Sequence, residues 1–268
     1  KVHIYFPGVT YMIVISIANN KGGVGKTTTA LHLGAALADM GRRVLLVDLD
    51  PQSSLTVYLG YDPVGFDKNT YHIMTRRAEP YDVILSTSIM FLDLMPASID
   101  LATAELEVSA AFSREFILKE QLDKLGERYD YVIIDNMPSL GILTVNSLMA
   151  SDYVVVPVEP TYLAFKGLEM IVHTIEAVKK YNSKLSLLGT IITMVDERTN
   201  HAKDIVSKIR ESFPVFDPIV KRSIKFADAA ASGVPISTYA GDDFEGSKVY
   251  HMLAANLDAK VLKNSATR

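Results

Sequence analysis

The stretch Asn20-Lys21-Gly22-Gly23-Val24-Gly25-Lys26-Thr27-Thr28 constrains this chain more than any other, because it follows the apolar run Met12 to Ala18 and opens a segment with helical spacing. Strand, glycine-rich turn and helix in that order build an anion site. The glycines let backbone N–H groups close around oxygens, and the helix N-terminus adds the positive end of its dipole. Lys26 adds a point charge and the Thr27 hydroxyl a ligand for Mg²⁺. The pattern predicts that Gly22, Gly23, Val24, Gly25, Lys26, Thr27 and Thr28 cradle the phosphates of a nucleoside triphosphate.

The usual phosphate loop reads G-x-x-x-x-G-K-[ST]. Here Asn20 stands where the first glycine would fall, and an extra lysine follows at Lys21. Two ammonium groups in one loop compete for the same oxygens and repel each other. Lys21, spare for its own loop, is therefore a candidate for acting in trans.

Two further apolar runs end in acids. Val44 to Val47 delivers Asp48 and Asp50, with Pro51 and Gln52 following, and Tyr131 to Ile134 delivers Asp135, with the loop Asn136 to Gly141 behind it. A buried strand ending in an unpaired carboxylate is costly unless a cation or a polarised water satisfies it. The expectations are that Asp135 holds Mg²⁺ through water, and that Asp48 and Asp50 arrive beside the cation site, where one of them orients the water attacking the terminal phosphate. The plainer alternative is that Asp48 caps a turn and Asp50 sits in solvent. Pro138 and Gly141 let the second loop take two arrangements as that phosphate comes and goes.

Val-, Ile- and Leu-rich runs recur at Met90 to Met95, Tyr153 to Val158 and Leu187 to Val195. Between the runs lie helical patterns: Thr28 to Met40, Ala97 to Val108, Ser113 to Leu125, Leu163 to Tyr181 and Thr199 to Ser212. Alternation of this kind predicts an α/β fold, a single doubly wound and mostly parallel sheet sandwiched by helices, with ligands at the carboxyl ends of its strands. Gly60 to Pro80 reads as a loop with a short helix. Residues 12–268 are expected to form one domain, with 1–11 an unassigned N-terminal extension. The absence of cysteine removes thiolate nucleophiles, disulfides and cysteine-held metal sites, and fits a reducing cytosol. No apolar stretch reaches the ~18 residues of a membrane span.

The motifs Lys21 to Thr27, Val47-Asp48-Leu49-Asp50-Pro51-Gln52 and Asp135-Asn136-Met137-Pro138-Ser139-Leu140-Gly141 together resemble those of ParA-type partition ATPases. The likeness is to the Soj branch of the deviant Walker A group that also contains MinD. Thr193-Met194, Arg198-Thr199-Asn200 and Ala231 to Ile236 are similar in order and spacing. The resemblance implies a Mg²⁺-dependent, slow, partner-stimulated ATPase that forms an ATP sandwich homodimer, with Lys21 crossing to the partner's nucleotide. It further implies that Asp50 positions the attacking water, that Asp135 is the acid on the metal side, and that Met194 lies against adenine. Where the family carries a second proline this chain has Met137.

The net charge is −4, yet between Arg198 and Lys225 seven basic residues face three acidic ones. Such a face suits non-specific double-stranded DNA bound through phosphate contacts and counterion release. Arg198, Lys221, Arg222 and Lys225 are the candidates. The resemblance adds a ParB-like centromere-binding partner and a cytoplasmic, nucleoid-associated location. Lys248 to Leu262 places Val249, Met252, Leu253, Leu257 and Val261 at helical spacing, which predicts core packing more than a lipid anchor, so no membrane association is expected. The alternatives are a MinD-like membrane-positioning ATPase and a metabolic ligase that phosphorylates an amide or carboxylate.

Overall fold

Runs of β-branched and leucine residues too short for helices lie side by side and bury each other, and the segments between them cover both faces. The computed structural model describes residues 11–196 and 200–266. In chain order the elements are β1 (Ile13–Ile17), α1 (Lys26–Asp39), β2 (Val44–Leu49), α2 (Ser54–Tyr58), α3 (Thr70–Met74), β3 (Leu85–Ser86), β4 (Leu92–Met95), α4 (Leu101–Ser109) and α5 (Ile117–Asp123). They continue with β5 (Tyr131–Asn136), α6 (Ile142–Ala150), β6 (Tyr153–Val158), α7 (Ala164–Lys179), β7 (Ser186–Ile192), α8 (Asn200–Ser212), α9 (Lys225–Ala231), α10 (Ile236–Ala240) and α11 (Glu245–Ser265).

The sheet runs β3-β4-β2-β5-β1-β6-β7, and every pairing is parallel except that of β3 with β4. β1, β2, β5 and β6 are buried at every residue, as a parallel sheet covered on both faces requires. The period of two then assigns faces. Ile13, Ile15 and Ile17 pack with Tyr131 and Ile133 against Leu33 and Leu37 of α1 and Leu253 of α11. Val14, Val132 and Ile134 face the other way, toward Leu101, Leu118 and Leu122 of α4 and α5.

Several expected boundaries moved. Ser113 takes a left-handed φ of 52°, so the pattern from Ser113 to Leu125 breaks into a 3-10 turn (Arg114–Phe116) and α5. β7 ends at Ile192 rather than Val195, because Met194 also turns left-handed, with φ 54°. α6 was not predicted: Thr144, Asn146 and Ser147 interrupt its apolar pattern, yet all three are buried by tertiary contact. α11 buries Val249, Leu253, Leu257 and Val261 as expected, but leaves Met252 55% exposed. Among the described residues no helix is long and apolar enough to cross a membrane.

Candidate functional site

The loop after β1 is tied down before it bends. Asn19 donates from Nδ2 to Pro157 O at 2.7 Å and accepts the Lys21 amide on Oδ1 at 3.0 Å, so the loop's start is moored to β6. At the other end Thr193 Oγ1 donates to Val24 O at 2.9 Å. Gly25 enters α1 with φ 83° and ψ 30°, a left-handed conformation that a side chain would disfavour. Lys26 is buried, and its Nζ donates to Lys21 O at 3.3 Å, drawn back across the mouth of the loop. Thr27 and Thr28, half-buried, open the first turn of α1.

Strand alternation puts Asp48 and Asp135 on the face of α1, and the β2–β5 register sets the two side by side. Their surroundings differ. Asp48 accepts from Thr56 N at 2.9 Å, Thr56 Oγ1 at 2.7 Å and Asp50 N at 3.2 Å, so it anchors α2 instead of reaching outward. Burial, against those hydrogen bonds, pushes its carboxyl up to about 6. Asp135 is fully buried and neither of its oxygens is hydrogen-bonded among the described residues. Burial and then the charge of Asp48 hold its pKa well above the usual carboxylate range, opposed by the Thr27 hydroxyl and the Lys26 ammonium.

Asp50, 9% exposed, accepts the Gln52 amide at 2.9 Å. Lys26 completes the group. Its pKa is lowered by burial and supported by the charges of Asp135 and Asp50. An orphaned buried carboxylate beside a threonine hydroxyl at a phosphate loop fits a hydrated divalent cation bridged to phosphate. Among the described residues there is no cluster of three or more His, Cys, Asp or Glu for a metal held by protein alone. The donor set therefore suits Mg²⁺ arriving with phosphates.

The two lysines that share the loop in sequence part company in space. Lys21 turns outward, its Nζ 3.0 Å from Glu159 Oε2 and 3.5 Å from Thr161 Oγ1. A cavity of about 220 Å³ opens beside the loop, lined by Gly25, Met194, Lys221, Arg222, Phe226 and Tyr250 among others. Met194 borders it, with Cε 3.6 Å from the position a Cβ on Gly25 would take. A larger cavity, about 450 Å³, lies at the opposite end of the sheet near Tyr11, Asp152 and Tyr181, far from any phosphate-holding element.

The basic candidates are less gathered than their spacing suggests. Lys221 pairs with Glu245 at 2.9 Å, Arg222 with the other oxygen of Glu159 at 2.9 Å, and the Lys225 ammonium sits 4.5 Å above the Phe244 ring. Lys221 and Arg222 thus border the cavity at the loop as well as the surface. Arg198 lies outside the described residues. Sequence reasoning missed Asn19, Thr56 and Glu159, and gave Thr193 only as part of a motif, without its bond to the loop. Each acts through a partner distant in the chain or a backbone atom, and no spacing rule marks such contacts.

A doubly wound parallel sheet whose central strand feeds a glycine-rich loop, with a lysine, a threonine and an orphaned strand-end aspartate converging there, defines a P-loop ATPase. The AAA domain family model matches residues 12–187. The chain is 41% identical over 249 residues to the sporulation initiation inhibitor protein Soj of Bacillus subtilis, covering 92% of this chain and 98% of that protein. It is 40% identical over 229 residues to the chromosome partitioning protein ParA of Myxococcus xanthus, covering 84% and 81%. Among solved structures, a cobyrinic acid a,c-diamide synthase from Mycobacterium smegmatis with bound ADP and magnesium aligns with TM-score 0.83 at 37% identity, over 96% and 97% of the two chains. The chain belongs to the Soj/ParA family of the MinD/ParA P-loop ATPases.

Proposed function

We propose that this chain is a DNA-segregation ATPase, acting on chromosome or plasmid DNA, in which ATP builds a sandwich homodimer. The dimer binds double-stranded DNA without sequence preference and releases it on hydrolysis. The observation that carries the reading is the division of labour between the lysines: Lys26 turns inward at its own loop while Lys21 turns outward to Glu159. An outward ammonium supports a role for Lys21 at a second copy's triphosphate. Residues 12–268 act as one ATPase domain, in the cytoplasm and on the nucleoid.

In this reading the amides of Gly22 to Lys26 and the Lys26 ammonium hold the β- and γ-phosphates, and Thr28 supports the α-phosphate side. Thr27 and a water on Asp135, with Asp50 nearby, would hold Mg²⁺, which supplies charge neutralisation on the phosphates when bound. Asp50 orients the attacking water, and the partner's copy of Lys21 stabilises the negative charge of the transferring phosphoryl group. Met194 packs on the base. Turnover is slow until a ParB-like protein completes the site. Lys221, Arg222 and Lys225, with Arg198, contact DNA phosphates.

Random-sequence duplex binding with ATP against ADP tests the switch, and equal affinity in the two states removes it. A MinD-like membrane role is disfavoured because the apolar face of α11 is spent on α1; liposome flotation with ATP decides it. The name of the Mycobacterium smegmatis structure brings in amide formation. ATP turnover raised by a carboxylic acid and ammonia or glutamine, and not by DNA with a ParB-like protein, would support that ligase.

A further inference from the structure

The loop that carries Met137 to Gly141 joins β5 to α6, and both of these flanking elements are fastened to one buried hydroxyl. Asn136 closes β5 and is 1% exposed; alternation turns it to the face opposite Asp135. Its Nδ2 lies 2.9 Å from Ser16 Oγ, 3.0 Å from Ile17 O and 3.3 Å from Ile134 O. Ser16 Oγ lies 2.8 Å from Ser147 Oγ in α6, the helix that follows the loop. Because Asn136 donates to Ser16, the Ser16 proton is available for Ser147. One hydroxyl on β1, the strand that feeds the phosphate loop, thereby ties the end of β5 to α6.

We propose that Ser16, Asn136 and Ser147 form a positioning staple for the ATPase reaction. It locks both bases of the 137–141 loop to the phosphate-loop strand, so that rearrangement on gain or loss of the terminal phosphate is confined to the loop's apex. None of the three is a catalytic residue, since each acts through backbone that it holds. The apex has its own light bonding: Ser139 N to Met137 O at 2.9 Å, Gly141 N to Ser139 Oγ at 3.3 Å and Thr144 Oγ1 to Ser139 O at 2.7 Å. Small loop contacts on rigid bases suit a segment with two arrangements. Core packing alone would be served by alanine or valine at position 16, where the neighbours Ile13, Val14, Ile15 and Ile17 are apolar. Three buried polar side chains meeting at a point call for a different reason.

The inference rests on the ATPase reading for its kinetic consequence but not for its structural one, and the test separates them. Ser16→Ala and Ser147→Ala, singly and together, should raise amide hydrogen exchange at 139–141 by about tenfold without nucleotide. They should lower kcat for ATP by about tenfold, with KM and ADP affinity kept within about twofold. Core packing as the whole role predicts a lower melting temperature with neither the local exchange nor the kcat–KM split. Exchange at wild-type level overturns the staple even if the chain turns over no ATP. Wild-type kcat in a variant, beside an active wild type, overturns it while leaving the ATPase reading intact. If Ser16→Ala fails to fold, Ser147→Ala carries the same measurements, since alanine suits a helix.

Discussion

Lys21 and Glu159 form an ion pair within one chain, Nζ to Oε2 at 3.0 Å, with the side chains 42% and 22% exposed. A pair that wet is worth about 1 kcal/mol or less. In the proposed dimer, a triphosphate presented by the second subunit would displace it, since several oxygens would then share the charge. Glu159 is not stranded when Lys21 leaves, because Arg222 holds its other oxygen at 2.9 Å.

Lys26→Ala should weaken ATP binding about a hundredfold, because a buried ammonium facing Asp135 and Asp50 is lost from the loop's mouth. Lys21→Ala should keep nucleotide binding within about tenfold yet lose ATP-dependent dimerisation and partner-stimulated hydrolysis. Sizing chromatography with ATP and ADP, beside nucleotide titration, reads both. Identical behaviour of the two variants would make Lys21 another ligand of its own loop.

Asp50→Ala should bind ATP and then stall. The carboxylate sits at the strand end beside Asp48 and the phosphate loop, and loss of water positioning costs about a hundredfold or more in hydrolysis. The variant should accumulate as a DNA-bound ATP dimer on gels. Turnover at the wild-type rate would remove Asp50 from the mechanism.

Lys225→Ala should weaken binding to all duplex sequences alike and lower the slope of log affinity against log salt by about 1 per site. Its ammonium rests 4.5 Å above the Phe244 ring, at the surface. A sequence-dependent loss, or an unchanged slope, would move DNA to another face.

His32 predicts a pH dependence of stability. It is buried between Phe226 and Tyr250, with ring centroids at 5.4 Å and 5.0 Å, and its Nδ1 has no hydrogen-bond partner among the described residues. Burial lowers its pKa to about 3. The unfolded chain, with a histidine pKa of about 6.5, binds a proton that the native state refuses between those values. This part of the stability is complete above about pH 6.5 and is lost as pH falls through the window. Between pH 7.5 and 5 the wild type should lose about 2 kcal/mol more than His32→Leu in denaturant titrations. Equal losses would mean that the imidazole is solvated.

Gly233→Ala should destabilise by about 1–3 kcal/mol. Residue 233 has φ 68°, and a Cβ there would come 2.8 Å from the Cα of Gly60, a backbone atom that cannot swing aside. The contact docks the α9–α10 turn on the end of α2, so the melting temperature should fall while ADP affinity holds. An unchanged melting temperature would show that the two turns separate freely.

What could be read along the chain was whatever short-range chemistry writes there. The strand–loop–helix order, the acids near the ends of β2 and β5, and the parallel sheet are all legible, because glycine conformation, helix dipoles and the two periodicities act over a few residues. Three-dimensional packing settled the rest. It turned Lys21 toward Glu159, gave Asp48 to Thr56 while leaving Asp135 unpartnered, and folded α6 over a pattern interrupted by Thr144, Asn146 and Ser147. Those outcomes depend on which polar atoms find partners outside the helix and strand periods, from Thr56 eight residues past Asp48 to Glu159 on a different strand end from Lys21, and such pairings leave no periodic mark.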